Sequence, residues 1–337
     1  VLIFFFMAMG SFVGSFEECV PLVPIVVALS VGLGWDALTG LAMSILAAGC
    51  GFAAGVCNPF TVGVAQTLAG LQMFSGAGLR AVGFVLIYGL LFLFVRAHAR
   101  KIEKPLAENA GSDFQRNKKL DSGLAFFAGI LGAGILLVFS SSFITFLQDY
   151  TLIIVALMFL IAGVTSALVS GMSGKELGKT FLKGAVNIMP AVIMILMAAS
   201  IKYTLDESNI LDTILYAAVN TAESLPKWAV ILFIYLLVLV LNFFIASGSA
   251  KAFLLIPLIV PIAQVFGIPA QLCIMAYAFG DGFSNVFYPT NAALLISLGL
   301  ADTGYGQWAK WSIKFQLMNL ILTSGLLLFG LAVGYGA

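Results

Sequence analysis

Charge is what this chain has least of. Only 9% of its 337 residues are charged, against about 25% in a soluble domain, whereas 61% are hydrophobic and the mean hydropathy is +1.10. That scarcity excludes an ordinary water-soluble domain. The net charge of +1 says nothing about nucleic acid, but no basic, aromatic face appears, so nucleic acid is not an expected partner. There is one histidine, His98, so neither an H-E-x-x-H helix nor a serine with a histidine beside it can be assembled, and paired aspartates with Mg²⁺ spacing are missing too. An enzyme is not expected, nor a cofactor. The four cysteines, Cys19, Cys50, Cys57 and Cys273, lack C-x-x-C spacing and sit among apolar or small residues. They read as buried inert thiols, not as metal ligands or disulfides. The N-terminal stretch has no basic n-region or A-x-A site, so it does not read as a signal peptide. The chain opens at Val1 inside an apolar run, which reads as N-terminally incomplete.

What is there instead is long apolar runs. Windows such as Ala81 to Val95 with its flanks, and Trp228 to Ala246, carry almost no charge, and about 20 apolar residues cross a bilayer. The fold class expected is an all-α polytopic membrane protein, embedded in lipid. Val1 to Leu33 has a polar tip at Glu17-Glu18 and suits a re-entrant hairpin. A helix starting at Asp36 is expected to be interrupted at Gly49-Cys50-Gly51 and again at Asn58-Pro59 before resuming to Leu71. Leu79 to Val95 reads as a plain span with Arg80 near its start. Residues 96–121 form the one long polar loop, and its seven basic residues place it in the cytoplasm; His98 reads there as a solvated loop residue.

Leu124 to Leu147 and Thr151 to Ser170 are expected spans. Gly171 to Lys183 reads as an interfacial helix, Gly184 to Ile201 as a span, and Leu211 to Ala222 as a helix lying on the outer surface. Trp228 to Phe266 is a second hairpin with its tip at Ser247 to Lys251. Pro269 to Leu298 is a second broken helix, and Trp308 to Tyr335 the last span. Counting spans outward from the basic loop puts Lys310 and Lys314 in the cytoplasm as well, and gives the two hairpins opposite orientation.

That opposition directs attention to internal symmetry. G49-C-G-F52 followed by Pro59 matches G280-D-G-F283 followed by Pro289, and Pro24 and Gly34 are spaced as Pro257 and Gly267 are. The expected organisation is therefore an inverted-repeat transporter: residues 1–95 an N-terminal repeat lacking its first helices, 96–121 the cytoplasmic loop, and 122–337 the C-terminal inverted repeat. Paired interrupted segments point to a transporter binding site. A broken helix leaves free N–H groups at one half-helix end, which attract anions, and free C=O groups at the other, which coordinate Na⁺ or protonated groups.

The candidate residues follow. Glu17 and Glu18 could bind a cation, a proton or a substrate amine, or be a solvated pair at the membrane surface. Asp281, between two glycines in an apolar run, could hold Na⁺, take a proton or face a cationic substrate. Asn58 and Thr61 bracket the first break, and Ser284, Asn285, Thr290 and Asn291 the second. They either bind a ligand or satisfy backbone at a kink. Ser247 and Ser249 flank Gly248 at the second tip. Lys251 either snorkels or pairs with Asp281. A coupling ion, Na⁺ or H⁺, is expected, with Na⁺ near Asn58 and Asp281. The Phe4 to Phe6 run reads as lipid-facing packing.

EECVP (Glu17 to Pro21), CNPFTVGVAQTLAG (Cys57 to Gly70), NFFIASGSAKA (Asn242 to Ala252) and GDGFSNVFYPTNA (Gly280 to Ala292) resemble the YfcC-like branch of the DcuC family, the C4-dicarboxylate anaerobic carriers within the ion transporter superfamily. The resemblance covers nearly the whole chain. It implies an inverted-repeat carrier with two re-entrant hairpins, commonly a homodimer, moving in an elevator-like way, with helices preceding Val1. A prokaryotic inner membrane is the expected location. Lys251 stands where the family pattern has a neutral residue, and Asn291-Ala292 where it has Ser-Gly. The branch is also similar to arginine/ornithine antiporters. Three carboxylates against one nearby cation favour a basic amino acid as substrate; a C4-dicarboxylate, needing Na⁺ or H⁺ to neutralise them, is the alternative. An ion channel is the remaining class, separable by conductance without substrate saturation.

Overall fold

The computed structural model describes residues 1–103, 118–141, 151–208 and 225–336, with positions 210, 213, 216, 217, 220 and 221 between the last two. Most of the expected surface helix at 211–222, the middle of the 96–121 loop and the end of the expected span at 124–147 lie outside the described residues. Among those described, the secondary structure is helical throughout, with no strand. The elements are α1 (Leu2–Val13), a tight helical turn (Glu17–Leu22) running into α2 (Val23–Gly32), α3 (37–54), α4 (59–68), α5 (Ala77–Ile102), α6 (Lys118–Ser141), α7 (Thr151–Val169), α8 (Gly174–Glu207), α9 (Lys227–Leu241), α10 (Gly248–Val265), α11 (Ala270–Asn285), α12 (Ala292–Leu300) and α13 (Tyr305–Ala332). By length and composition, α5, α10, α13 and the interrupted 37–68 segment are each able to cross a membrane.

Helix starts follow local side-chain chemistry. The Asp36, Asn58, Ser247 and Asn291 side chains each accept a hydrogen bond from a backbone N–H in the first turn of α3, α4, α10 and α12, satisfying donors that a helix start otherwise leaves open. At α8, Ser173 and Glu176 form a reciprocal capping box. The expected interfacial helix at 171–183 and the span after it are one helix, because a lone Gly184 costs only about 1 kcal/mol and does not stop a helix.

The expected interruption at Gly49-Cys50-Gly51 is corrected, and its counterpart at Gly280 to Gly282 behaves alike. Helices α3 and α11 do not break at their glycine pairs but run through them, because the glycines serve close packing. A Cβ on Gly282 would lie 2.3 Å from the Cα of Ala53, and one on Gly49 2.2 Å from Val286 Cγ1, so these two glycines mark where α3 and α11 cross. Gly51 faces the backbone of Met7 in α1, and Gly280 faces Val238 in α9. The breaks come later, at 55–58 and 286–291; Gly55 takes a left-handed conformation with φ 48° at the first. Likewise Pro257 and Pro261 lie inside α10 without ending it.

The crossing pair is the centre of the molecule. Every residue of α11 is buried. In the 37–68 segment 89% of the apolar window is buried, against 33% in α5 and α13, so the latter two wrap around the former. His98 is not a loop residue: α5 continues to Ile102, and the imidazole sits between helices. The Trp311 indole donates to Nδ1 at 3.0 Å, so Nε2 carries the proton and donates to Asp36 Oδ2, also at 3.0 Å. The start of α3, the end of α5 and α13 are thereby joined. Burial pulls the Asp36 carboxyl up, but hydrogen bonds from Thr39 and His98 outweigh it and hold the group below the usual carboxylate range.

Candidate functional site

The two helix breaks are built alike. At each, irregular backbone inside an apolar body must find partners. At the first, the hydroxyl of Ser11 in α1 accepts from Val56 N–H at 3.0 Å, and the Ser11 carbonyl accepts from Cys57 N–H. The Val56 carbonyl is held by two guanidinium nitrogens of Arg80, at 3.1 and 3.3 Å. At the second, Trp308 of α13 donates to the Val286 carbonyl at 2.9 Å and Tyr305 to that of Phe287 at 3.0 Å. Asn242, at the end of α9, donates to Ser284 Oγ at 2.7 Å and to Asn285 Oδ1 at 2.9 Å. Each break is thus completed from an earlier helix, α1 or α9, and from the long helix after it, α5 or α13.

Arg80 is fully buried and has no carboxylate in reach among the described residues. Besides Val56 it donates to the carbonyls of Ser75 (3.0 Å) and Phe74 (3.4 Å) and to the Tyr335 hydroxyl (3.4 Å). Gln66 donates to Gln271 at 3.0 Å beside it. Its role is to fasten the first break and the 72–76 turn to the start of α11.

Between the two breaks lies a cavity of about 430 Å³, within the range of small-molecule sites. One wall is Phe16, Glu17 and Glu18, with Phe52 and Phe60 flanking the first break. The other is the start of α10 (Ser247, Gly248, Ser249) and the second break (Asn285, Thr290, Asn291). The structure therefore brings eight expected residues to one cavity: Glu17, Glu18, Ser247, Gly248, Ser249, Asn285, Thr290 and Asn291. The hydroxyl of Thr290 is buried there without a hydrogen-bond partner. The rings of Phe16 and Phe52 pack at 6.2 Å.

The other five candidates sit behind this surface. The Asn58 side chain accepts from the N–H groups of Phe60 and Thr61, and Gly14, at φ 78°, packs against its Oδ1. Ser284 bonds back to the Gly280 carbonyl at 2.7 Å. Asp281 and Lys251, both fully buried, are paired at 2.7 Å. The Lys251 ammonium also donates to the Ile245 carbonyl at 3.1 Å and to Asn242 Oδ1. The oxygens at which Na⁺ is expected, on Asn58 and Asp281, are accordingly already engaged, apart from Asp281 Oδ2. That atom and Thr61 Oγ1 are buried without a hydrogen-bond partner. Among the described residues no group of three or more His, Cys, Asp or Glu could hold a metal ion.

Asn242 and Tyr277, which hold the cavity-lining Asn285 and Gly248, are absent from the expected set. Tyr277 donates to the Gly248 carbonyl and so holds the start of α10. An asparagine closing an uncharged run was the available signal for the first; a tyrosine within a helix gives none.

A family model described as DcuC, C4-dicarboxylate anaerobic carrier, matches residues 1–332. An Escherichia coli (strain K12) protein named "Putative basic amino acid antiporter YfcC" is 29% identical over 97% of this chain and 68% of its own length. A Haemophilus influenzae "Uncharacterized protein" is 26% identical over 94% of the chain and 64% of its own. The chain thus spans about two thirds of the length of these relatives. The crystal structure of the Alcanivorax borkumensis YdaH transporter aligns with 99% of the chain and 78% of its own, at a TM-score of 0.54 and 20% identity. The likeness is one of fold.

Proposed function

The chain belongs to the DcuC family of C4-dicarboxylate anaerobic carriers, an integral membrane protein of transporter type, and from that premise we propose that it is a secondary carrier of small charged metabolites. Its substrates are basic amino acids of the arginine/ornithine kind, moved by exchange or by an ion gradient. The observation that carries this reading is the composition of the cavity between the breaks. Glu17 and Glu18 line one side and the N-terminal ends of α10 and α12 the other. Free N–H groups and the positive end of a helix dipole suit a carboxylate; two glutamates suit the amines of an amino acid with a cationic side chain. A substrate with charges of both signs meets both walls directly. The E. coli relative's name agrees with this class.

The matched architecture of the two breaks supports an inverted repeat, with α1 and α9 as equivalent arms and α5 and α13 as equivalent braces. A C4-dicarboxylate is the second reading, favoured by the family's description. It would use the same helix ends and Thr290, but needs Na⁺ or H⁺ to neutralise Glu17 and Glu18.

The test is counterflow of labelled arginine and labelled succinate in proteoliposomes holding the full chain, with and without Na⁺ and H⁺ gradients. Arginine exchange that weakens tenfold or more in apparent affinity in Glu18→Gln, about 1.4 kcal/mol, supports the first reading. Succinate exchange alone supports the second. Movement of neither sinks both.

A further inference from the structure

Lys251 is a group that the carrier reading above does not use. It lies in the first turn of α10, is fully buried and does not line the cavity. Its ammonium has three protons and no lone pair, and it meets three oxygens: Asp281 Oδ1 at 2.7 Å, the Ile245 carbonyl at 3.1 Å and Asn242 Oδ1. They come from three places in the fold: the last third of α11, the residue that ends α9 and the turn after it. A carboxylate, a backbone carbonyl and an amide carbonyl converging beside a helix break are the kind of oxygens with which discontinuous helices hold an alkali cation. Two more oxygens are close by. Asp281 Oδ2 and Thr61 Oγ1 are buried without hydrogen-bond partners, and Asp281 Oδ2 and Thr61 Cγ2 both pack against Gly248, at 2.7 and 2.8 Å from where its Cβ would stand.

We infer that Lys251 is a tethered cation: its ammonium fills a place that a monovalent metal ion would otherwise take. The charge joins α9, α10 and α11 as a bound ion would. Being covalently attached, it cannot leave with the substrate. The structure then needs no Na⁺ at this point, and on the carrier reading, on which this second half rests, transport does not draw on a Na⁺ gradient. Removing the side chain leaves the Asp281 charge buried and unpaired, together with an oxygen cage able to take Na⁺.

The experiment compares melting of the purified full chain in NaCl and in N-methylglucamine chloride at equal concentration. The wild type is expected to show no Na⁺-specific shift. Lys251→Ala is expected to melt lower and to recover about 3 °C or more with Na⁺, the size of a ligand bound well above its Kd. Lys251→Ala/Asp281→Asn is expected to recover nothing. Lys251→Gln, which keeps most of the stem's volume, provides the same comparison where Lys251→Ala does not fold. A Na⁺-specific rise in the wild type overturns the assignment without any variant, and so does a lysine variant that ignores Na⁺. In proteoliposomes, counterflow should be indifferent to Na⁺ in the wild type and become Na⁺-dependent in the lysine variants. Absence of any transport alongside the expected melting pattern sinks the carrier reading and leaves the tethered cation standing.

Discussion

Gly282 is where a single methyl group should do most harm. An alanine there would bring its Cβ to 2.3 Å from Ala53 Cα, 2.4 Å from Ala53 Cβ and 2.5 Å from Ala53 N, where ordinary contact begins at 3.4 Å. The obstacle is backbone, and it lies at the crossing of the two central helices, so no rotamer change relieves it. The helices must part by about 1 Å, and overpacking of this kind costs roughly 1–3 kcal/mol. Helix propensity returns up to about 1 kcal/mol. The net loss should be roughly 1–2 kcal/mol, which for a chain of this length is a fall in melting temperature of about 2–3 °C. The control is Gly325→Ala in α13, where nothing lies within 4 Å of the new Cβ. There the same substitution should be neutral or raise the midpoint. Melting of the purified full chain, followed by intrinsic fluorescence, reads both. A Gly282→Ala protein that melts at or above the wild type would refute the close crossing of α3 and α11, and with it the cavity between their breaks.

Three further outcomes follow from the same geometry. Arg80→Met should cost about 3 kcal/mol, because it strands the carbonyls of Val56 and Ser75 in an apolar body, and Arg80→Lys should restore less than half, since an ammonium cannot span the same fork; equal melting of all three proteins contradicts this. Asp36→Ala removes a helix cap worth about 1 kcal/mol. Because the folded carboxyl is held below its ordinary value, its stabilisation is present above the unfolded pKa of about 3.9 and fades as pH falls through the folded value; melting curves should separate the variant from the wild type at pH 7 and converge below about pH 4. Asn291→Ala frees the Leu294 N–H and the Asn285 contact and should lower the melting temperature while weakening substrate exchange, whereas loss of stability with exchange intact would restrict Asn291 to capping.

How much of this was legible in the residues depended on which atoms do the work. The breaks could be read because Asn58-Pro59 and Pro289 sit in otherwise uncharged runs, and a proline removes a donor that such a run cannot spare. The glycine pairs were visible, but their purpose was not: a glycine reads as a break, while here it is a place where two backbones touch, and only the partner's position reveals that. Arg80 looked like a charge at the edge of a span, because its partners at Val56, Phe74 and Ser75 are main-chain carbonyls, which every residue has and no side-chain pattern marks. His98 was misplaced by its basic neighbours, whose side chains need not share a helix face with it. The pairing of Lys251 with Asp281 was one of two open readings, since thirty residues of sequence separate them and only packing of α10 on α11 brings them together.

The Arg80 contacts also bear on how the chain is made. Val56 precedes Arg80 by 24 residues, Gln271 follows it by 191 and Tyr335 by 255. A ribosome therefore delivers the first break long before the groups that close around its guanidinium. During synthesis the guanidinium can take the Val56, Phe74 and Ser75 carbonyls early, but its contacts with Gln271 and Tyr335 wait until those residues have been made. The polar cluster around Arg80 is therefore completed only after the residues of α11 and those that follow α13 have joined it.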